Sequence, residues 1–185
     1  VRELSVGQHI AIIEAVKRAG AKRLFLDFRY EPFETDANFD QLVETVNSWQ
    51  DGIVLAVEGV SLAPGENKLE SAVWPSNKFS PKVARGCICW EYMFWQVWEV
   101  PYAVTADNFV IPTFSAIMAD LPRQTPSRFP VDYSYKPETI VKISAIDLLQ
   151  GRFPAATLRG KDAILAPYSR KSPDKHYFPG HDLTP

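Results

Sequence analysis

The sequence lacks the long apolar run that a membrane-spanning helix requires. No stretch of the 185 residues approaches the roughly 20 apolar residues needed to cross a bilayer, and no secretory signal peptide is visible. The chain begins at Val1 without an initiator methionine, so we expect it to be an excised piece of a longer protein. The missing membrane segment therefore carries no information about the location of the full protein.

Clusters of basic residues are also lacking. The chain holds 20 Lys and Arg residues against 22 Asp and Glu residues, its net charge is −2, and no Lys/Arg run exceeds two residues. Polyanion binding needs a concentrated basic face. We therefore expect no nucleic-acid partner.

Cysteine is scarce, and the common catalytic motifs are absent. The two cysteines, Cys87 and Cys89, are too few for a metal site of their own, and a bridge between them would close a very small ring. We interpret them as two small buried apolar residues. The sequence has no Gly-x-Ser-x-Gly elbow, and Gly160-Lys161 lacks the flanking residues of a phosphate loop. Neither catalysis nor a cofactor is predicted.

The N-terminal third predicts a helix, a strand, a helix and a strand. Ser5 and Gln8 form a capping-box pattern before apolar residues at helical spacing, and Gly20 is a natural stop. Asp36 is the expected cap of the second helix. The apolar runs at residues 24–28 and 53–57 predict buried parallel strands joined by a right-handed crossover.

The remaining chain predicts a hairpin and a closing helix–strand unit. Residues 61–82 resemble a long surface loop, and residues 102–105 and 109–111 an antiparallel hairpin followed by a helix over 113–121. Further strands are expected at 131–135, 140–143 and 162–166, with a helix capped by Ser144. The predicted fold class is α/β, with a mixed, mostly parallel central sheet flanked by helices and an antiparallel hairpin insert, in a single domain spanning 1–185.

Five residues are candidate ligand contacts. Asp27 and Arg29 follow the first strand, and ligands of open α/β sheets bind beyond the carboxyl ends of strands. Trp95 and Trp98 belong to an aromatic stretch that suits a covered core strand, an apolar ligand cradle or a dimer interface. Asp174 belongs to a polar C-terminal cluster for which we predict no specific metal site. His9 is expected to be exposed on the first helix.

The order of these elements resembles CHASE2 domains, the extracytoplasmic sensor modules of bacterial transmembrane receptors. The residues that carry the resemblance are 18–21, 24–28, 36, 53–56, 86, 101–102, 112–116, 143–151, 158–161, 174 and 179–180. The chain departs from the family at residues 91–98, which are aromatic where many members have a polar turn, and at Ala166-Pro167, which replaces a glycine. No family role of that turn is carried over.

The resemblance implies a sensor domain on the periplasmic or extracellular face of the cell membrane. Membrane helices would flank the chain on both sides, and a cytoplasmic output domain would follow. The partner would be a small molecule or a periplasmic protein, and the domain could form a homodimer. Two other functions stay open at this point: a small metal-dependent α/β hydrolase that uses Asp27 and the Asp174 loop, and an interaction module whose aromatic face dimerises.

Overall fold

A computed structural model of the chain describes residues 4–60, 67–89, 99–121, 127–132, 134, 139–167, 176–178 and 181–184. The helices are α1 (Val6–Arg18), α2 (Phe39–Asn47), α3 (Phe114–Met118) and α4 (Ala145–Leu149). The strands are β1 (Arg23–Leu26), β2 (Ile53–Val60), β3 (Ser71–Val73), β4 (Ala84–Cys87), β5 (Glu99–Pro101), β6 (Ala103–Ala106), β7 (Phe109–Pro112), β8 (Arg128–Pro130), β9 (Asp162–Leu165), β10 (His176–Phe178) and β11 (His181–Thr184).

The predicted fold class is confirmed by a mixed sheet in the order β3-β2-β1-β9, with β4 also paired to β2. β1 lies between two parallel neighbours, in the register Phe25 with Val54 of β2 and Phe25 with Ile164 of β9. β3 joins β2 in the antiparallel direction. The two apolar runs predicted as parallel strands therefore lie side by side, and the strand predicted at 162–166 pairs with β1 on its other edge.

The chain divides into two compact units. The first consists of Val1–Ala56, Pro75–Ala84 and Val141–Ala166. Its core joins apolar side chains of α1, β1, α2 and the start of β2, among them Ile13, Leu26 and Leu42, all fully buried. A two-point ion pair fixes the start of β1 to β9, because Arg23 donates from Nε and Nη2 to the two Asp162 oxygens at 2.9 and 2.7 Å.

The second unit consists of Val57–Trp74, Arg85–Ile140 and Pro167–Pro185. It has a core of its own, to which Val57, Leu69, Val104 and Ile111 contribute. The predicted hairpin is present as β6 and β7, and the turn residues Asp107 and Asn108 both have positive φ, as a tight hairpin turn requires. β5 pairs with β8, and β10 pairs with β11.

Helix caps follow the sequence closely at three of four positions. The Ser5 hydroxyl accepts from the Gln8 N–H and the Gln8 side chain accepts from the Ser5 N–H, which completes the capping box of α1. Ser144 caps α4 as predicted, and Thr113 caps α3 at the start of the helix that the sequence placed over 113–121. Asp36 was the wrong residue for α2, which begins after Asn38. The Asp36 carboxylate instead accepts from the backbone N–H of Asn38 at 2.8 Å.

Two strand predictions are wrong. Residues 140–143 form no strand, and the side chains of Ile140 and Val141 are 67% and 70% exposed. Of the strand predicted at 131–135, the described residues 131, 132 and 134 lie in no strand, and residues 133 and 135 lie outside the described part; the segment that pairs with β5 is β8, at 128–130. Residues 140–143 are rich in β-branched side chains and residues 131–135 contain Val and two Tyr, which favours a strand in each case, but a strand also needs a partner edge. The loop predicted over 61–82 contains β3, and residues 61–66 lie outside the described part.

Candidate functional site

The first unit places a cluster of aromatic and polar side chains just beyond the carboxyl end of β1. β1 ends at Leu26, and the chain continues through residues 27–30 into a 3-10 turn, Glu31–Phe33. In open α/β sheets, ligands bind in a crevice at the carboxyl ends of the parallel strands. We call His9, Phe28, Tyr30 and Phe33 the β1-end cluster.

His9 lies at the centre of the β1-end cluster. Its ring centroid is 4.6 Å from that of Phe28, 5.6 Å from that of Tyr30 and 5.7 Å from that of Phe33. The imidazole is 0% exposed. The expectation of an exposed His9 was therefore wrong. His9 is three residues after Val6 and four before Ile13, so it shares the buried face of α1, and the helical spacing alone contained this signal.

Several polar atoms around this cluster are buried without a hydrogen-bond partner among the described residues. They are both ring nitrogens of His9, the Tyr30 hydroxyl and the Glu31 Oε2 atom. A buried polar group without a partner costs about 1–3 kcal/mol, and more when it is charged. Native proteins keep few such groups, so these atoms are candidates for binding a ligand or an ordered water.

Burial also sets the protonation states of the cluster. Desolvation lowers the pKa of His9 to about 4, because the charged imidazolium would lose its hydration without gaining a compensating partner. The same cause raises the pKa of the Tyr30 hydroxyl. At neutral pH the two groups are therefore an uncharged imidazole and an uncharged phenol, each able to donate and to accept a hydrogen bond.

The ring contacts continue from the cluster toward α2. The Tyr30 and Phe79 centroids are 5.7 Å apart, and those of Phe79 and Phe39 are 5.8 Å apart. At the end of this row the Lys78 ammonium lies 5.5 Å from the Phe39 centroid and pairs with Asp40 at 2.8 Å. The ring contacts thus extend from the cluster to α2 within the first unit.

Two of the five sequence-predicted contact residues lie beside the cluster. Asp27 is half-buried, and its backbone N–H donates to the Leu165 carbonyl at 2.9 Å, which holds the start of the segment against β9. Arg29 is exposed. Both flank Phe28, so the sequence identified the correct segment but missed the side chains buried in it. Trp95, Trp98 and Asp174 lie outside the described residues, and their role stays a prediction.

The substitution Tyr30→Phe tests whether the buried Tyr30 hydroxyl lacks a hydrogen bond. In the absence of ligand, we expect Tyr30→Phe to raise the free energy of unfolding by about 1 kcal/mol, because the variant no longer buries an unpaired hydroxyl. Urea denaturation followed by circular dichroism measures the change. A loss of stability of similar size would mean that the hydroxyl is hydrogen-bonded. Tyr102→Phe, on a half-buried ring whose centroid lies 4.9 Å from that of Phe129, is the matched control.

The two cysteines are joined in a disulfide, and both are buried, at 1% and 7% exposure. The interpretation of Cys87 and Cys89 as two separate apolar residues was wrong about the bond and correct about the burial. Alternate residues of an extended segment point to one side, which brings the two sulfurs together.

The described residues contain no group of three or more potential metal ligands. Among the described residues, no helix is long and apolar enough to cross a membrane. The sequence matches no protein-family model, and no curated protein or solved structure is similar to the chain.

Proposed function

We propose that the chain is the extracytoplasmic sensor domain of a bacterial transmembrane receptor, and that it binds a small ligand at the β1-end cluster. The observation that carries the proposal is the set of buried, unpartnered polar atoms of His9 and Tyr30 beyond the carboxyl end of a parallel strand. A binding site needs a few polar groups placed among apolar walls. Phe28 and Phe33 provide the walls.

The resemblance to CHASE2 domains supports the receptor assignment. The strands that carry the resemblance, at residues 24–28, 53–56 and the one that follows Lys161, contribute to one mostly parallel sheet. The Ser144-capped helix and the Gly151 turn, with φ of 67°, also follow the pattern that the sequence suggested.

Signalling by this domain is a shift between populated arrangements. A ligand changes the equilibrium only by its difference in affinity for the two arrangements. α1 and the segment 27–33 both contribute side chains to the β1-end cluster. A ligand that bridges them would favour one relative position of α1, and in the proposed receptor α1 follows a membrane helix.

A thermal-shift screen of the purified chain tests ligand binding. The probes are amino acids, amines, short carboxylates and sugars. We expect at least one class to raise the melting temperature, and Tyr30→Phe to weaken that ligand by about tenfold, because one hydrogen bond is lost. Tyr102→Phe should leave the affinity unchanged. A ligand whose affinity is insensitive to Tyr30→Phe and His9→Phe would place the site elsewhere.

The receptor assignment is tested separately with the full gene product. Membrane helices on both sides of the chain, together with an output that responds to the same ligand, are expected. A parent protein without membrane helices would contradict the assignment. For the metal-dependent hydrolase, Asp27→Asn should abolish turnover, and metal analysis of the purified chain is the inexpensive discriminator.

A further inference from the structure

His9 is the one histidine whose side-chain surroundings the structure describes; the chain has two others, His176 and His181. Histidine is the side chain that ordinarily changes charge between pH 5 and 8. An imidazole that is fully buried among three aromatic rings, with both nitrogens unpartnered among the described residues, is in a position where gaining a charge has a large structural consequence.

The aromatic rings in contact with His9 offer it no counter-ion. On α1 its neighbours one turn away are Val6, Ile12 and Ile13, and from the 27–33 segment it meets the rings of Phe28, Tyr30 and Phe33. The titratable group in direct ring contact is the Tyr30 phenol. The charged residues of the same segment are Asp27, Arg29 and Glu31.

The other helices of the first unit present their charges to solvent or to other partners. On α2, Asp40 and Glu44 are exposed, and Asp40 is paired with Lys78. On α4, Asp147 is paired with Arg152 at 2.7 Å and accepts from the Ser144 hydroxyl. Within the described residues, no ion pair to His9 is found. A protonated imidazole would therefore regain solvation chiefly by leaving the cluster.

We propose that the first unit responds to acid, with His9 as the proton-binding group: protonation favours an arrangement in which α1 separates from the segment 27–33 and His9 reaches water. The signalling consequence rests on the proposed receptor function. A domain on the outer side of a membrane meets the pH of the surroundings directly, and α1 is the element nearest to the membrane helix that the resemblance places before Val1.

The direction and the size of the response follow from linkage. Burial lowers the pKa of His9 to about 4, whereas a solvated imidazole has a pKa of 6.5. The separated arrangement therefore binds more protons between these values, and the closed arrangement is favoured above pH 6.5 and loses its advantage as the pH falls toward 4. Between pH 7.5 and pH 5.0 the opening constant rises roughly 25-fold.

Hydrogen exchange measured by mass spectrometry tests this response on the purified chain. Protection factors, corrected for the intrinsic pH dependence of exchange, are compared at pH 7.5 and pH 5.0 for amides of α1 and of residues 27–33. We expect protection to fall roughly 25-fold at pH 5.0 in the parent chain. His9→Phe should reduce this change to less than about threefold, because phenylalanine keeps the ring contacts and cannot take up a proton.

The matched control removes the other two histidines. A variant with His176→Asn and His181→Asn is expected to keep the full response. His9→Gln, which has a neutral polar side chain, serves as a second variant if His9→Phe fails to fold, and it should also lack the response. A response of normal size in the folded His9 variants would overturn the proposal, as would equal protection of the parent chain at both pH values.

Receptor output separates failure of this inference from failure of the proposed function. If a ligand drives output while acid does not, the receptor assignment stands and the acid response is wrong. If the His9-dependent exchange response is present but no stimulus drives output in the full-length protein, the acid-responsive unit stands and the receptor assignment is contradicted.

Discussion

Ile13→Ala is expected to lower the free energy of unfolding by about 3 to 4 kcal/mol, because it removes three carbons from a fully packed position. Ile13 is 0% exposed and lies in the core that α1 shares with β1 and α2. The loss combines the transfer free energy of the deleted atoms with the cost of the cavity that remains. Urea denaturation followed by circular dichroism measures it.

Ile146→Ala is the matched control for this substitution. Ile146 is the same residue type, also lies on a helix of the first unit, and is 62% exposed. We expect its replacement to change stability by no more than about 0.5 kcal/mol. Equal effects at the two positions would mean that α1 does not pack its Ile13 face into the core, and the description of the β1-end cluster would have to be revised with it.

Gly86→Ala should destabilise the second unit by about 2 to 3 kcal/mol through overpacking. A Cβ atom built on Gly86 would lie 2.6 Å from Cδ1 of Phe114 and 2.9 Å from Cδ1 of Ile117, both closer than real Cβ contacts allow. Phe114 is only 8% exposed, so its ring has little room to move. The glycine that the CHASE2 resemblance includes is thus required by close packing against α3.

Gly7→Ala makes the same chemical change as Gly86→Ala, but we expect it to raise stability instead of lowering it. Gly7 is exposed on α1, and a Cβ there would meet nothing within 4 Å. Alanine should therefore stabilise the helix by about 0.5 kcal/mol, since glycine is the poorer helix former. Thermal denaturation of the two variants distinguishes the positions by the sign of the change. A neutral Gly86→Ala would show that the α3 contact adjusts freely.

The parts of the fold that sequence reasoning predicted are those with a local signal. The Ser5–Gln8 capping box marked the start of α1, and continuous apolar runs marked β1, β2 and β9. For β1 and β2 these signals are strong, because burial on both faces of a parallel strand leaves no polar alternation, whereas Ile164 of β9 is exposed. The Asp107-Asn108 turn marked the β6–β7 hairpin in the same way.

The parts that were missed depend on partners that are distant in sequence. The run at residues 140–143 has good strand propensity, yet Ile140 and Val141 are exposed because no strand of the described chain pairs with them. Pairing, and not propensity, decided that segment. The strand β8 instead forms at Arg128–Pro130, where it pairs with β5.

For the candidate site, the sequence predicted the segment of the chain but not the buried side chains that form the site. Asp27 and Arg29 predicted a ligand site at the end of β1, because they are charged residues that follow an apolar run. The groups that define the β1-end cluster, His9 and Tyr30, come from two elements that meet only in the folded unit. Their burial, and the resulting lack of partners for their polar atoms, depends on this packing.

The pairing of β1 with β9 has a consequence for the way this protein is made. Arg23 and Asp162 are 139 positions apart, so β1 acquires its second neighbour only after the chain has been synthesised through β9. Long-range parallel pairing of this kind forms slowly and exposes apolar edges in the meantime. Truncation before residue 162 would leave β1 with an open edge, and expression of fragments of this chain should retain β9.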